Sequence, residues 1–298
     1  MQSQTQSQTM LTVHLMGGLG NQLFQIATAF AYAKRYSMKL VLLRTWDHPP
    51  DRPPVWEEFL DPSTWTFLSA KTYASLPWTT ISEKGFAYNP LPDPSTLPNT
   101  GYYRLSGYFQ SSLYFNEYAG DLRILFKPSQ TLIMHSIQSL VGAGMIGQHS
   151  WIGAHVRRGD YLKAADYHLT CTANYYRGAR KFIDDRLGPF HPKQSVCWFS
   201  EDPEWVKENL FNEGDLIING KGPVDFTSLT YFKHLILSNS SYSWWAAWLN
   251  SYFYDPAERV ICCPDKWFGP TVPHDCYTVR EAGWFVIETS SGNLAAQV

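Results

Sequence analysis

From residue 151 to residue 263 the chain alternates short apolar runs with amphipathic stretches, and this alternation leaves few folds open. Strands fit Trp151–Val156 and residues 195–199, 215–218, 234–238 and 259–263. Helices fit residues 173–186, 203–211, 226–233 and 242–249. Repeated strand–helix–strand units imply a parallel, doubly wound sheet with right-handed crossovers. Pro203, directly after Asp202, suits the first position of a helix, where its missing N–H costs nothing.

The N-terminal half opens in the same way. Residues 11–16 read as a strand and Gly17, Gly18, Leu19 and Gly20 as a tight turn. Asn21 reads as the N-cap of a helix reaching about Arg35, with Leu23, Ile26, Ala27 and Phe30 on one face. Residues 39–43 supply the next strand. Residues 46–98 are rich in Pro, Trp and Ser and are expected to form loops and short elements. Residues 108–118 are aromatic and ambiguous. Residues 128–141 read as a helix, and the glycines between 142 and 147 as a linker. The expected organisation is a disordered polar tail over residues 1–10, one α/β domain over 11–147 and a second over 148–298.

Net charge narrows the partners. At −2 over 298 residues the chain has no electrostatic footprint for nucleic acid. No run approaches the ~18 consecutive apolar residues of a membrane span. The opening MQSQTQSQTM lacks the basic and apolar regions of a secretory signal. The 5 cysteines show no CxxC spacing, which points to reduced thiols and a cytoplasmic setting. Cys262 and Cys263 lie in an apolar run, where packing is their expected role. The 12 Trp, 18 Tyr and 17 Phe fit either an aromatic core or flat faces that stack on sugars and bases.

Three segments carry chemistry. The first is WIGAHVRRGDY, residues 151–161, where an apolar strand ends in His155, Arg157, Arg158, Gly159 and Asp160. Open α/β sheets bind ligands outside the carboxyl ends of their strands. Guanidiniums there suit an anion with several oxygens, such as a diphosphate. A plain salt bridge with Asp160 is the alternative. Side chains alternate along a strand, so His155 and Arg157 are expected to share the cleft face, with Arg158 paired to Asp160 on the other.

The second segment is the glycine turn with Asn21. Strand, glycines and helix N-terminus make an anion site from backbone donors. Gly18 and Gly20 fit a dinucleotide fingerprint, but Leu23 stands where its third glycine would be, and no lysine is present for a phosphate loop. Small residues placed for packing alone remain the alternative. The third segment is DFTSLTYFKHLILSNSSYSWWAAWLN, residues 225–250. Its Ser238, Asn239, Ser240 and Ser241 lie where a strand enters a helix, so hydroxyls and backbone N–H groups converge. Capping by Ser240 or Ser241 is the alternative, and Trp244, Trp245 and Trp248 are expected in the core. Asp225 suits a helix N-cap or an acceptor for the paired donors of a guanine edge. No DxD, HExxH or GxSxG occurs. Without a metal, a departing diphosphate must be neutralised by arginine and backbone donors.

Together, GGLGNQLFQIATAFAYAKR, HVRRGDY, FSEDPEWVKENL and DFTSLTYFKHLILSNSSYSWWAAWL resemble the alpha-1,2-fucosyltransferases, with animal and bacterial members. The arginine motif is shared more distantly with alpha-1,6- and protein O-fucosyltransferases. The resemblance implies an α/β fold of the GT-B type, two Rossmann-like domains facing a cleft. The first domain would be the acceptor side and the second would bind GDP-fucose. Metal-independent transfer with inversion, to O2 of a terminal galactose on an oligosaccharide, is implied too, with no cofactor.

By position, Arg157 would bind the diphosphate with Arg158 nearby, and His155 would lie against the nucleotide. Gly18, Gly20 and Asn21 would face the donor from the first domain. Asp225 would read guanine, and Ser240, Ser241 and Tyr242 would line the pocket. Asp166 is the first choice for general base, with Glu201 and Asp202 as rivals. Lacking the anchor of the animal proteins, the chain resembles the cytoplasmic, bacterial members. Another fucose linkage is the rival activity, and a non-catalytic glycan-binding protein the rival class.

Overall fold

The structure is a computed structural model that describes residues 8–43, 56–145, 151–189, 193–219, 222–272 and 277–298. Residues 1–7 of the expected tail, Gly147 of the linker and Cys276 lie outside the described residues, and Met10, expected in the tail, already opens the first strand. The chain divides into two compact units, 1–127 and 128–298. The boundary falls ahead of residue 148 because the helix at 130–142 packs within the second unit, on the helix at 222–229.

The first unit starts with β1 (Met10–Val13), α1 (Leu19–Arg35), β2 (Lys39–Leu40) and β3 (Leu42–Leu43). Then come α2 (Trp56–Phe59), β4 (Phe67–Leu68), α3 (Ala70–Ser75), β5 (Thr79–Ser82), β6 (Tyr102–Ser106) and α4 (Ala119–Leu125). Its main sheet has the order β2-β1-β6-β5, all parallel. Residues 56–98 form the short elements expected of their proline content, and the part of that expectation over 46–55 lies outside the described residues. Residues 112–118 resolve into two short 3-10 turns.

α1 starts earlier than its sequence suggests. Gly18 is its N-cap and has no side-chain cap, so Asn21 lies in the first turn rather than at the cap. The glycine turn frees the chain to enter the helix sooner, with Gly17 at φ 75°. Leu23, Ile26 and Ala27 are fully buried, and a Leu or Ile side chain taken out of water stabilises by roughly 1.5–3 kcal/mol.

The second unit starts with α5 (Gln130–Gly142), β7 (Trp151–Val156), α6 (Ala173–Leu187), β8 (Ser195–Ser200), α7 (Pro203–Asn209) and β9 (Leu216–Ile218). It continues through α8 (Gly222–Leu229), β10 (His234–Ile236), α9 (Ser241–Asn250), β11 (Ile261–Pro264), β12 (Phe285–Ile287) and β13 (Leu294–Gln297). The sheet order is β13-β12-β11-β10-β7-β8-β9, and only β13 runs antiparallel. From β9 to β12 this is the doubly wound order in which the first strand sits beside the fourth.

The strands are buried apolar runs, as both-faced parallel sheets require. Ile152, Ala154 and Val156 meet Tyr175, Tyr176, Ala179 and Ile183 of α6 in one core. Trp244, Trp245 and Trp248 are buried, as are Cys262 and Cys263, which fits packing roles for all of them. α8 begins at Gly222, so Asp225 sits in its first turn and is not its N-cap.

Candidate functional site

In a doubly wound sheet, ligands bind where the strand order reverses. In the second unit that point lies between β7 and β10, whose successors run to opposite edges. His155, next to last in β7, sets its Nδ1 2.8 Å from Ser238 Oγ, just beyond β10. Tyr242 lies tilted against the imidazole, ring centres 5.0 Å apart. Burial and the neighbouring Arg157 cation push the His155 pKa down to about 3, so the ring is neutral.

Strand alternation stops at Val156. The chain then turns into a 3-10 segment, Gly159–Ala164, and Arg158 takes φ −135° and ψ −65°. The expected pairing of Arg158 with Asp160 is therefore wrong. Arg157 Nη2 donates to Asp160 Oδ1 at 2.6 Å, and its Nη1 lies 3.3 Å from Glu201 Oε1. Arg158 Nε donates to Asp202 Oδ2 at 2.9 Å, and its guanidinium covers the Trp205 ring at 4.1 Å. Asp202 also caps α7, accepting from Trp205 N. Arg158 is thus a tie between the loop and α7. Arg157 is the more accessible of the two, with 33% of its side chain exposed against 16%.

Glu201 occupies the corner between the two arginines. Its Oε1 accepts from Arg158 N at 3.1 Å. A Cβ on Gly159 would come within 2.7 Å of that oxygen, so a larger residue there would push the Glu201 side chain off the arginines. Tyr176 donates its hydroxyl to the His155 carbonyl at 3.2 Å, fixing the strand end from below.

The serine-rich stretch is built as a cap and a stitch. Ser240 caps α9 through Tyr242 N. Ser241 and Tyr242 follow it in the first turn, and Tyr242 donates to the Gly222 carbonyl at 2.9 Å. That bond ties α9 to the start of α8, the turn that carries Asp225, and Phe226 meets the Tyr242 ring edge-on at 5.1 Å. Asn239 gives its side-chain amide to the carbonyls of Leu169 and Trp267, and its backbone carbonyl accepts from Tyr161. Asp166 is exposed, with its carbonyl taken by Thr271 Oγ1 at 2.7 Å. Among the described residues no group of three or more His, Cys, Asp or Glu is arranged to hold a metal ion.

In the first unit the glycine turn is gripped from α1. Gln22 Nε2 donates to Gly17 O at 2.9 Å, and Gln25 both accepts from Met16 N and donates to Met16 O. Gly18 at the N-cap is exposed and Gly20 is buried, and the N–H groups of this first helical turn are donors of the kind that bind anions. Gln110 donates to Asn21 Oδ1 at 2.8 Å. The clamping glutamines and Gln110 were invisible as site residues, since their partners are backbone atoms or lie far along the chain.

The family model described as "Glycosyl transferase family 11" matches residues 1–252. The chain is 26% identical over 281 residues to an alpha-1,2-colitosyltransferase of Escherichia coli, covering 87% of this chain and 93% of that one. It is 26% identical over 268 residues to the galactoside alpha-(1,2)-fucosyltransferase 2 of Bos taurus, covering 83% and 71%. A match to the O-antigen biosynthesis glycosyltransferase WbnK of Escherichia coli is also 26% identical, over 175 residues. It takes in 56% of this chain and 55% of that protein, about half its length. Among solved structures, an Arabidopsis thaliana fucosyltransferase in complex with GDP has a TM-score of 0.54 at 15% identity, covering 82% and 69%. The NodZ alpha-1,6-fucosyltransferase co-crystallized with GDP has a TM-score of 0.51 at 14% identity, covering 81% and 92%. The fold they share with this chain is the GT-B type. No helix among the described residues is long and apolar enough to cross a membrane.

Proposed function

The chain belongs to glycosyl transferase family 11, and from that membership we propose that it moves L-fucose from GDP-fucose to O2 of a terminal galactoside, with inversion. The observation that carries this is Arg157, a half-buried guanidinium at the strand-order reversal of the second unit, beside a neutral His155. A fork of donors at that point suits a diphosphate leaving group, whose charge grows as the glycosidic bond breaks. With arginine and backbone N–H groups supplying that stabilisation, the reaction needs no metal. Asp225 and Tyr242, joined through the start of α8, are the residues for the guanine base. Ser240 and Ser241 line the same turn, and Arg158 holds the loop that carries Arg157. In the first unit, Gly18, Gly20 and Asn21 form the turn proposed to bind donor oxygens. Asp166 is the base in this proposal. Glu201, in contact with Arg157, is its rival on proximity. The acceptor is a galactose-terminated oligosaccharide.

Incubation with GDP-fucose and a panel of galactosides, followed by linkage analysis, tests the reading. A fucosyl product linked 1,2 to galactose is expected. Transfer to a different position, or to no galactoside at all, overturns it. The match to an alpha-1,2-colitosyltransferase along 93% of that protein supports a second reading, in which the sugar moved is colitose. A parallel incubation with GDP-colitose decides between the two by relative kcat/KM.

A further inference from the structure

Asn21 follows β1 and Gln110 follows β6, and the two strands are parallel neighbours in the first unit's sheet. The sheet is open and parallel, and ligands of such sheets bind outside the carboxyl ends of the strands, where both residues lie. There Gln110 Nε2 donates to Asn21 Oδ1 at 2.8 Å.

The loop that delivers Gln110 is held against its own preference. Phe109 has φ 53°, a conformation costly for a bulky residue, on the order of 1–3 kcal/mol. Glu83, just after β5, offsets that cost. Its carboxylate accepts from Tyr108 N at 2.7 Å and from Phe109 N at 3.0 Å. Such charge-assisted bonds are about twice as strong as neutral ones. The Phe109 ring is fully buried. At Gly107 a Cβ would stand 2.4 Å from the Glu83 Cβ, so the approach of loop and carboxylate requires glycine.

The Asn21 amide is fixed at its other end as well. A Cβ at Gly17 would stand 2.4 Å from Asn21 Nδ2, so the amide nitrogen lies close over the glycine turn. Oxygen towards Gln110 and nitrogen over the turn leave N–H donors as what Asn21 offers a ligand.

We propose that Gln110 is a positioning residue: by occupying the Asn21 oxygen, it commits the Asn21 N–H donors to an electron-rich oxygen of the substrate, on a phosphate or a sugar. This rests on the reading in which Asn21 meets the donor sugar nucleotide. The ligand class is one rich in acceptor oxygens, and a ligand offering only donors is excluded.

The test uses the full chain and the variants Gln110→Ala, Gln110→Glu, Asn21→Ala and the Asn21→Ala/Gln110→Glu double. Readouts are kcat, KM for GDP-fucose and the melting temperature. A glutamate at 110 only accepts, so it draws the Asn21 N–H groups to itself and turns the amide oxygen outward. Gln110→Glu is therefore expected to lose tenfold or more in kcat/KM and to be worse than Gln110→Ala, while melting like the unsubstituted protein. In the Asn21→Ala background, Gln110→Glu is expected to add no further loss. A merely structural role gives the opposite ranking, with Gln110→Ala the worse variant and activity tracking melting. That ranking overturns the proposal, as does a further loss from Gln110→Glu in the double variant, which marks a direct charge effect. Full activity in both single Gln110 variants beside an impaired Asn21→Ala overturns this proposal and leaves the donor reading standing. Full activity in Asn21→Ala removes the donor reading of Asn21 itself.

Discussion

His155 and Ser238 are 2.8 Å apart, Nδ1 to Oγ, across the gap between two strands whose successors leave for opposite edges of the sheet. This contact closes the floor of the candidate site. It holds the imidazole fully inside the protein, where an unscreened charge is costly.

The first prediction concerns acid. Burial lowers the His155 pKa to about 3 in the folded protein, whereas an unfolded histidine titrates near ~6.5. Between those values the unfolded chain binds more protons. The stabilisation from His155 is complete above about pH 6.5 and is lost as pH falls towards about 3. The slope is on the order of 1.4 kcal/mol per pH unit. Denaturant titrations from pH 7 to pH 4.5 are expected to show a flatter acid limb in His155→Gln. Parallel curves for the two proteins count against a buried neutral ring.

Much of this fold is legible in the sequence. The apolar runs at 151–156 and 195–199 and the amphipathic period at 173–186 mark strands and a helix without tertiary information. Site geometry is less so. Strand alternation pairs Arg158 with Asp160, but the strand ends at Val156 and a 3-10 turn reassigns both arginines. A strand end is set by tertiary contacts, here the Glu201 carboxylate accepting from Arg158 N. The Asn21–Gln110 contact joins residues 89 positions apart, and only the sheet order brings them together. The early start of α1 follows from a glycine whose freedom is visible and whose use is not.

GDP is expected to stabilise the protein and UDP is not. The Asp225 turn is tied to α9 through Tyr242 and Gly222, and an acidic acceptor there suits the paired donors of guanine. A ligand at ~100 times its dissociation constant adds about 2.7 kcal/mol, a shift of several degrees in a melting scan. Equal shifts with both nucleotides would remove the guanine assignment.

Transfer is expected to survive chelation. No DxD occurs in the chain, and the proposed function gives the charge of the leaving diphosphate to Arg157. Initial rates with and without excess EDTA check this. An abolished rate that Mn²⁺ restores refutes metal independence.

A control for stability lies away from the site. Asp215 is fully buried and accepts from Arg180, Val196 N, Trp198 Nε1 and Asn212 N. Breaking a buried pair from one side costs ~3–5 kcal/mol. Because the other donors stay in place, Arg180→Ala should fall near the low end, with kcat unchanged in the folded fraction. A stable variant, or one that loses turnover without losing stability, contradicts the assignment.

The two arginines should fail differently. Arg157→Lys keeps a cation against Asp160 and Glu201, so the fold is expected to melt normally. It loses the fork that matches two phosphate oxygens. Hydrogen bonds to charged groups are worth ~1.5–3 kcal/mol each, so losing one from the transition state lowers kcat by roughly ten- to a hundredfold. Arg158→Ala acts on the scaffold. It removes the bond to Asp202 and uncovers Trp205, a cation–π contact worth ~0.5–2 kcal/mol. Expected stability falls by about 2 kcal/mol, with kcat within a few-fold. Melting scans and single-turnover rates on both variants separate these outcomes. If Arg158→Ala is well folded and inactive while Arg157→Lys turns over normally, Arg158 holds the diphosphate. The salt bridge to Asp202 is then a resting position that the substrate breaks.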